Sequence, residues 1–388
     1  MKPVITNDIL YIGTDDTTID LFESQYPVPE GVSYNSYLIL DEKITVMDTV
    51  DARGTEDWLS NLKEGLNGKS PDYLVISHLE PDHAANIATL AEMYPDMKLI
   101  GNTKTFSMLP QFFHKDFSTR QVVVKEGDTL SLGKHTLQFF MAPMVHWPEV
   151  MVTYEQSEKI LFSADGFGKF GALVNDDPED WACEARRYYF NIVGKYGVQV
   201  QALLKKAATL DISVICPLHG PVLRENLGYY IGLYDTWSSY KAEKSGVVIA
   251  YASIHGNTKK AAEKLAEMVE AKGEKVELCD VSRTMVSELI ESAFEYDRII
   301  LAAATYDAGI FSPMEDFIHH LQAKGFKNRK IGLMENGSWG PMAAKKMREE
   351  LETLKDITFV DPVVTIKSSM SEEDIPQMEA LAAAICEK

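Results

Sequence analysis

Cysteine is scarce in this chain: there are four in 388 residues, Cys183, Cys216, Cys279 and Cys386, and none sits in a Cys-x-x-Cys pair. That spacing excludes a zinc ribbon or an iron–sulfur knuckle and points to thiols kept reduced, with the cytoplasm as the expected compartment. Long apolar runs are missing too. None approaches the roughly 18 residues that cross a bilayer, and the opening MKPVITNDIL lacks the basic segment and apolar core of a signal peptide. Positive charge is in deficit, 38 Lys and Arg against 58 Asp and Glu, for a formal net charge of -20. A field of that sign repels nucleic-acid backbones and anionic membranes, and leaves basic partners or small uncharged substrates. The excess carboxylates also keep a protein soluble. Repeats of 20–50 residues and low-complexity segments are absent. Neither Gly-x-Gly-x-x-Gly nor Gly-x-x-x-x-Gly-Lys-Ser/Thr stands at the first strand-to-helix turn after residue 245, which argues against a dinucleotide fold or a triphosphatase loop there.

What is present suffices for two cores. At 388 residues and 45% hydrophobic the chain exceeds what one core supports, so two domains are expected. The grammar changes near residue 245, with the polar stretch Trp237 to Gly246 as the joint, giving domains 1–244 and 245–388. Before it, β-rich runs (YNSYLILD, KITVMDT, HTLQFFMA, VMVTYE, KILFSAD) follow one another like hairpins, interrupted by helical stretches near 55–66, 84–93 and 179–207. After it, strands and helices alternate from GVVIAYAS to PVVTIK and a final helix, which predicts a doubly wound parallel sheet of five strands with ligands at the carboxyl ends.

The first domain crowds metal-capable side chains into VISHLEPDH. A buried strand stops at a loop carrying His78, Glu80, Asp82 and His83, whose geometry lets one pair turn to one ion and the other pair to a second. Three later strand ends add His146, Asp165 and His219. Singly, each histidine would be a hydrogen-bonded structural residue and Asp165, before Gly166, a turn former. All seven at strand ends make a metal site the better reading. Three carboxylates bring three negative charges and hard oxygen donors, which suit iron and its ferric state. Zinc offers no redox chemistry.

In the second domain three loops stand on the expected binding edge. Ser253, Ile254, His255, Gly256, Asn257 and Thr258 lead into an amphipathic helix whose amino end suits a phosphate. Ala304, Thr305, Tyr306, Asp307 and Ala308 follow the third strand. Asn336, Gly337, Ser338, Trp339 and Gly340 follow the fourth, with glycines for close backbone approach and two aromatics able to border a flat ring.

The pattern His-x-Glu-x-Asp-His followed by His146, Asp165 and His219 is similar to the ligand set of the flavodiiron proteins, and the resemblance spans essentially the whole chain. It implies a metallo-β-lactamase-like αββα sandwich followed by a flavodoxin-like domain. It further implies that His78, Glu80 and His146 hold one iron, that Asp82, His83 and His219 hold the other, and that Asp165 bridges them. The hydrolytic branch of that fold has His-x-His-x-Asp-His, and Glu80 here replaces the second histidine. The three loops look like those that bind FMN in flavodoxins, with His255 where threonine is common. By resemblance the chain reduces dioxygen to water, nitric oxide to nitrous oxide, or both, with FMN as relay, in a head-to-tail homodimer or a dimer of dimers. Because cysteine pairs are missing, a separate electron donor is expected, and the resemblance implies a rubredoxin or a reduced deazaflavin coenzyme. The alternatives are a dinuclear zinc hydrolase with a flavodoxin-like regulatory module, and an electron carrier with a vestigial first domain. Trp147 and Tyr196 are secondary candidates near the metals. For Tyr196 a core-facing role comes first and proton delivery or a pocket wall second. The stretch NDDPED and the pair His319-His320 read as surface features.

Overall fold

A computed structural model describes residues 3–177 and 180–387. Pro178 and Glu179 of the acidic stretch NDDPED lie outside the described residues. The chain divides into two compact units: the first runs to Tyr189 and takes in Val198–Asp235, and the second comprises Phe190–Gly197 and the chain from Thr236 onward.

Two sheets form the heart of the first unit. One has six strands in the order Ile9–Tyr11, Tyr37–Ile39, Thr45–Met47, Tyr73–Val75, Lys98–Gly101, Gln121–Val123, antiparallel at its start and parallel from Thr45 on. The other has five, in the order Thr129–Ser131, Thr136–Met141, Met151–Glu155, Ile160–Phe162, Val214–Cys216. Period-2 alternation sets what each strand buries. Leu137 and Phe139 join Met151, Ile160 and Phe162 in a core that also holds Ile9, Tyr37, Met47, Val75 and Ile100 of the first sheet. Each such side chain contributes about 1.5–3 kcal/mol on leaving water. Outside the first sheet the helix Thr55–Leu66 buries Trp58, Leu62 and Leu66, one face at four-residue spacing, and ends where Asn67 turns left-handed at φ 46°.

Two local expectations need correction. The helix placed at 84–93 begins earlier and is broken: Pro81–Ala84 is one short helix and Ile87–Met93 another. Pro81 at the first helical position costs no hydrogen bond, so the helix can start inside the ligand loop and carry Asp82 and His83 on it. A helix at Thr103–Phe113 went unforeseen because Pro110 sits inside it; Asn102 starts it by accepting from the N–H groups of Lys104 and Thr105.

The second unit has the order Val276–Asp280, Lys244–Ala252, Tyr296–Tyr306, Arg329–Asn336, Ile357–Phe359, all parallel. Its fifth position is shared. Ile357–Phe359 pairs with the start of Arg329–Asn336, and Val364–Ile366, the expected PVVTIK strand, pairs with its end. The polar stretch from Trp237 belongs to the second unit, where Trp237 and Ser238 are buried and the Trp237 indole donates to Glu243. No helix of the described residues is long and apolar enough to cross a membrane.

Candidate functional site

The carboxyl ends of strands in both sheets of the first unit meet at one edge, and the seven candidate ligands meet with them. Tyr73–Val75 leads to His78 and Glu80, and then to Asp82 and His83 on the short helix. Thr136–Met141 leads to His146, Ile160–Phe162 to Asp165 and Val214–Cys216 to His219. The side chains fall into two groups. In the first, His78 Nε2 and His146 Nε2 lie 3.2 and 3.0 Å from Glu80 Oε2 and 3.3 and 3.4 Å from Asp165 Oδ2. In the second, His83 Nε2 and His219 Nε2 are each 3.2 Å from Asp82 Oδ2 and lie 3.3 and 4.0 Å from Asp165 Oδ1. The two oxygens of Asp165 thus face different groups, the posture of a bridge.

These groups are largely out of water, and only the first is partly satisfied from within, His78 and His146 each pairing Nε2 with Glu80 Oε2. His78, His219 and Asp165 are fully buried. Both oxygens of Asp82 and of Asp165, and Nε2 of His83 and of His219, have no hydrogen-bond partner among the described residues. Buried polar atoms in that state are costly, and a cation between them would remove the cost. Four imidazoles and three carboxylates, grouped so that their ligand atoms converge, fit a pair of divalent or trivalent ions.

The titration behaviour carries the same imprint. Burial alone would lower the His78 pKa, but Asp165, Glu149 and Glu80 reverse this and hold it well above the usual range. Burial likewise works against ionising Asp165, yet His78, His146 and His83 hold its carboxyl well below the carboxylate range. Asp82 goes the other way: burial, joined by the charges of Glu80 and Asp165, pushes it up to about 7. A cation would reorder all three, since its own charge becomes the largest in the site.

Supporting residues escaped the sequence reading. Glu149 Oε1 sits 2.7 Å from His78 Nδ1 and accepts from the Leu79 N–H at 2.9 Å, so it sets the imidazole's tautomer and aim. The Ser33 carbonyl does the same for His219, accepting from Nδ1 at 2.7 Å. A signal for Glu149 was present: a carboxylate three residues beyond His146, at the door of the buried strand Met151–Glu155. Trp147 lies edge-on to His78, ring centroids 5.2 Å apart. Against His219 stand Tyr188 and Phe22, both with ring centroids 5.4 Å away. Tyr196 closes the turn Gly194–Tyr196 in the segment that groups with the second unit, where Phe190 stacks on Phe294 at 4.1 Å. Above the metal-ligand edge opens a depression of about 190 Å³ lined by Phe22, Glu23, Tyr34, Glu80 and Asp82. Partial loss of hydration and the charge of Glu80 push Glu23 up to about 7 there.

In the second unit the predicted loops stand side by side, because the strands that carry them are adjacent in the sheet. Gly256, left-handed at φ 90°, starts the helix Asn257–Glu270, and no side chain among the described residues caps it. Its first N–H groups are therefore disposed for an anion. Ser253 Oγ accepts from the Gly256 N–H at 3.0 Å, while Ile254 and His255 are exposed. Ala304, Thr305 and Tyr306 turn out to be the last strand residues, with Asp307 and Ala308 in the left-handed turn that follows. Thr305 Oγ1 accepts from the N–H groups of Met342 and Ala343, which ties its loop to the next one. Gly337 has no room for a side chain, since a Cβ would stand 2.9 Å from Pro341 Cα. Ser338 and Gly340 are exposed, as is Trp339, at 96%. A fourth loop was missed: Asn336 holds Ser368 by Nδ2–H to its carbonyl, 2.9 Å, and by its N–H to Oδ1, 3.1 Å.

Fold and site together define a class: a two-domain α/β protein with a metallo-β-lactamase-like first domain, which carries the candidate ligand groups at one edge, followed by a flavodoxin-like sheet. The family model "ODP family beta lactamase" matches residues 32–220, and "Flavodoxin domain" matches 248–362. The chain is 30% identical over 395 residues to a nitric oxide reductase of Moorella thermoacetica, covering 99% of this chain and 98% of that one. It is 29% identical to an anaerobic nitric oxide reductase flavorubredoxin of Aliivibrio salmonicida, covering 89% and 71%. Among solved structures, the rubredoxin oxygen:oxidoreductase of Desulfovibrio gigas superposes with a TM-score of 0.92 at 28% identity, covering 99% and 98%. With relatives aligned across both domains, this chain belongs to the flavodiiron protein family.

Proposed function

We propose that the chain is an oxidoreductase that reduces dioxygen to water, nitric oxide to nitrous oxide, or both, at a pair of iron ions, with FMN passing electrons in from a separate rubredoxin or reduced deazaflavin. The observation that carries this reading is the bridge posture of Asp165, whose two oxygens have no hydrogen-bond partner among the described residues and face two ligand groups, one of which contains Glu80 in place of a histidine. His78, Glu80, His146 and Asp165 would hold one iron, and Asp82, His83, His219 and Asp165 the other. The loops 253–258, 304–308 and 336–340 would hold FMN, its phosphate on the amino end of the helix Asn257–Glu270. Bound there, the irons supply Lewis acidity and two electrons, and the reduced flavin supplies two more.

The chain's own residues do the rest. Glu149 and the Ser33 carbonyl keep the proton on Nδ1 of His78 and His219, leaving Nε2 as the ligand atom. Glu23, at the rim beside Glu80 and Asp82, is placed to carry a proton to a reaction that consumes several. Phe22, Trp147 and Tyr188 exclude water around the buried imidazoles. Localisation in the cytoplasm and assembly into a homo-oligomer belong to the same proposal.

Anaerobic stopped-flow tests it: the protein, purified with its metals quantified, is reduced through rubredoxin and then mixed with each gas. Iron in both positions, a flavin spectrum and rapid reoxidation by at least one gas are expected. Zinc in both positions, with no gas reduction after iron is restored, would establish the hydrolase reading instead.

A further inference from the structure

The outer face of the five-stranded sheet holds an apolar cavity whose lining includes none of the seven candidate ligands. Phe140, Val152 and Leu161 form its floor, one residue out of register with Phe139, Met151 and Phe162, which face the opposite way into the inter-sheet core. Val200, Leu203 and Leu204 of the helix Gly197–Ala207 form its roof. The volume is about 20 Å³, enough for the centre of one small molecule, since about 10–15 Å³ holds one water.

Water has little to bind there. The three polar side chains in the lining are each engaged: Ser163 Oγ donates to the Gly166 carbonyl at 2.6 Å, and Tyr234 Oη accepts from the Phe167 N–H at 2.6 Å. Lys206 lends its alkyl stem while its ammonium donates to Glu126 and to the Met141 carbonyl. A water needs two to four free polar partners, so this cavity stays dry, as apolar cavities of this kind do, and admits neutral apolar guests. Its position gives the guest a destination. Val145 and Gly166, both in the wall, are the chain neighbours of His146 and Asp165, whose Nε2 and Oδ2 face each other at 3.4 Å. The two turns that deliver those ligands are also the partition between cavity and metal edge.

We infer that this cavity is a binding site for one small apolar gas molecule, dioxygen or nitric oxide, held beside the metal edge as a store for turnover. The gas site stands on the cavity alone; its service to turnover rests on the function proposed above. Xenon, a neutral probe of the same size class, separates the two. In crystals of the full chain under xenon pressure, a single strong site is expected among Val152, Leu161 and Leu204. Val200→Phe should abolish that site and Val200→Ala should strengthen it; the second variant guards against misfolding of the first. Ordered water in the cavity, or xenon bound only elsewhere, would overturn the gas site. In turnover, Val200→Phe should raise the KM for the gas by up to about tenfold, the weight of a methylene in an apolar pocket, with kcat kept. An unchanged KM in a folded Val200→Phe variant that has lost xenon would overturn its role in supply. An enzyme that reduces neither gas yet still binds xenon would remove the proposed function and leave the gas site standing.

Discussion

The metal edge of the first unit and the loop edge of the second solve opposite problems. The first takes charge out of water: His78, His219 and Asp165 are fully buried, and their positions come from two sheets whose strands are anchored in a common core. The second leaves its most conspicuous side chain, Trp339, 96% exposed, and relies on backbone: an uncapped helix start, a glycine with no room for Cβ, and loops bonded to one another. Buried charges must be held by a rigid scaffold because every misplacement leaves desolvated atoms unpaired. A planar ligand at a sheet edge needs only a floor of N–H groups and freedom of approach.

Breaking the contrast at its strongest point means removing Asp165. Asp165→Ala should release both ions and abolish gas reduction while FMN remains bound, as read by metal analysis and the flavin spectrum. A variant that kept both ions would refute the bridge. Glu23→Gln, which leaves the ligands intact, should slow gas reduction by about 10²-fold with metal content unchanged. If the rate held, the proton would be entering elsewhere. Glu149→Gln, one step from the metal, should weaken metal binding or activity by about 10–100-fold through loss of His78 alignment, measured by chelator competition. At the other edge, Trp339→Ala should loosen FMN by no more than about tenfold, equal to about 1.4 kcal/mol, because an exposed aromatic contributes only its contact with the ring. Its Tm without FMN should not move, and a shift there would mean the tryptophan is structural.

A pH titration sharpens the same comparison with the smallest effect. Burial works to lower the His146 pKa, but Asp165 and Glu80 push it up from 6.5 to about 9 in the metal-free chain. A folded pKa above the unfolded one means stabilisation fully present below pH 6.5 and lost as pH rises through about 9. Metal-free protein should therefore lose Tm between pH 7 and pH 10. Iron-loaded protein should hold or gain, because the ligand imidazoles must be neutral to bind. Parallel curves would show that His146 is not part of the metal group.

Much of this was legible in residue order. Alternation of strands and helices after residue 245 marks a doubly wound sheet because a parallel sheet needs a crossover between strands. Polar residues directly after apolar runs mark His78, His146, Asp165 and His219, because a strand that leaves the core can turn its next side chain into a site. Local cues failed where two tendencies competed. Pro81 read as loop, yet it opens a helix under Asp82 and His83; Pro110 masked the helix Thr103–Phe113. The contact of Tyr188 with His219 was also not legible, Tyr188 being one of several tyrosines in a helical run whose phase shifts at the π-turn Tyr189–Val193.

The sequence by itself determined the kinds of groups available and that most of them follow strand ends: four imidazoles and three carboxylates in the first domain, glycines and hydroxyls in the loops of the second. Only the tertiary structure decided that Asp165 turns one oxygen to each ligand group, that Glu149 orients an imidazole 71 positions away in the chain, and that the floor of a sheet leaves room for a gas molecule. Those outcomes depend on how two sheets register across a shared core. Side chains from distant segments meet there at distances set to a few tenths of an ångström by packing, which no local pattern of residues encodes.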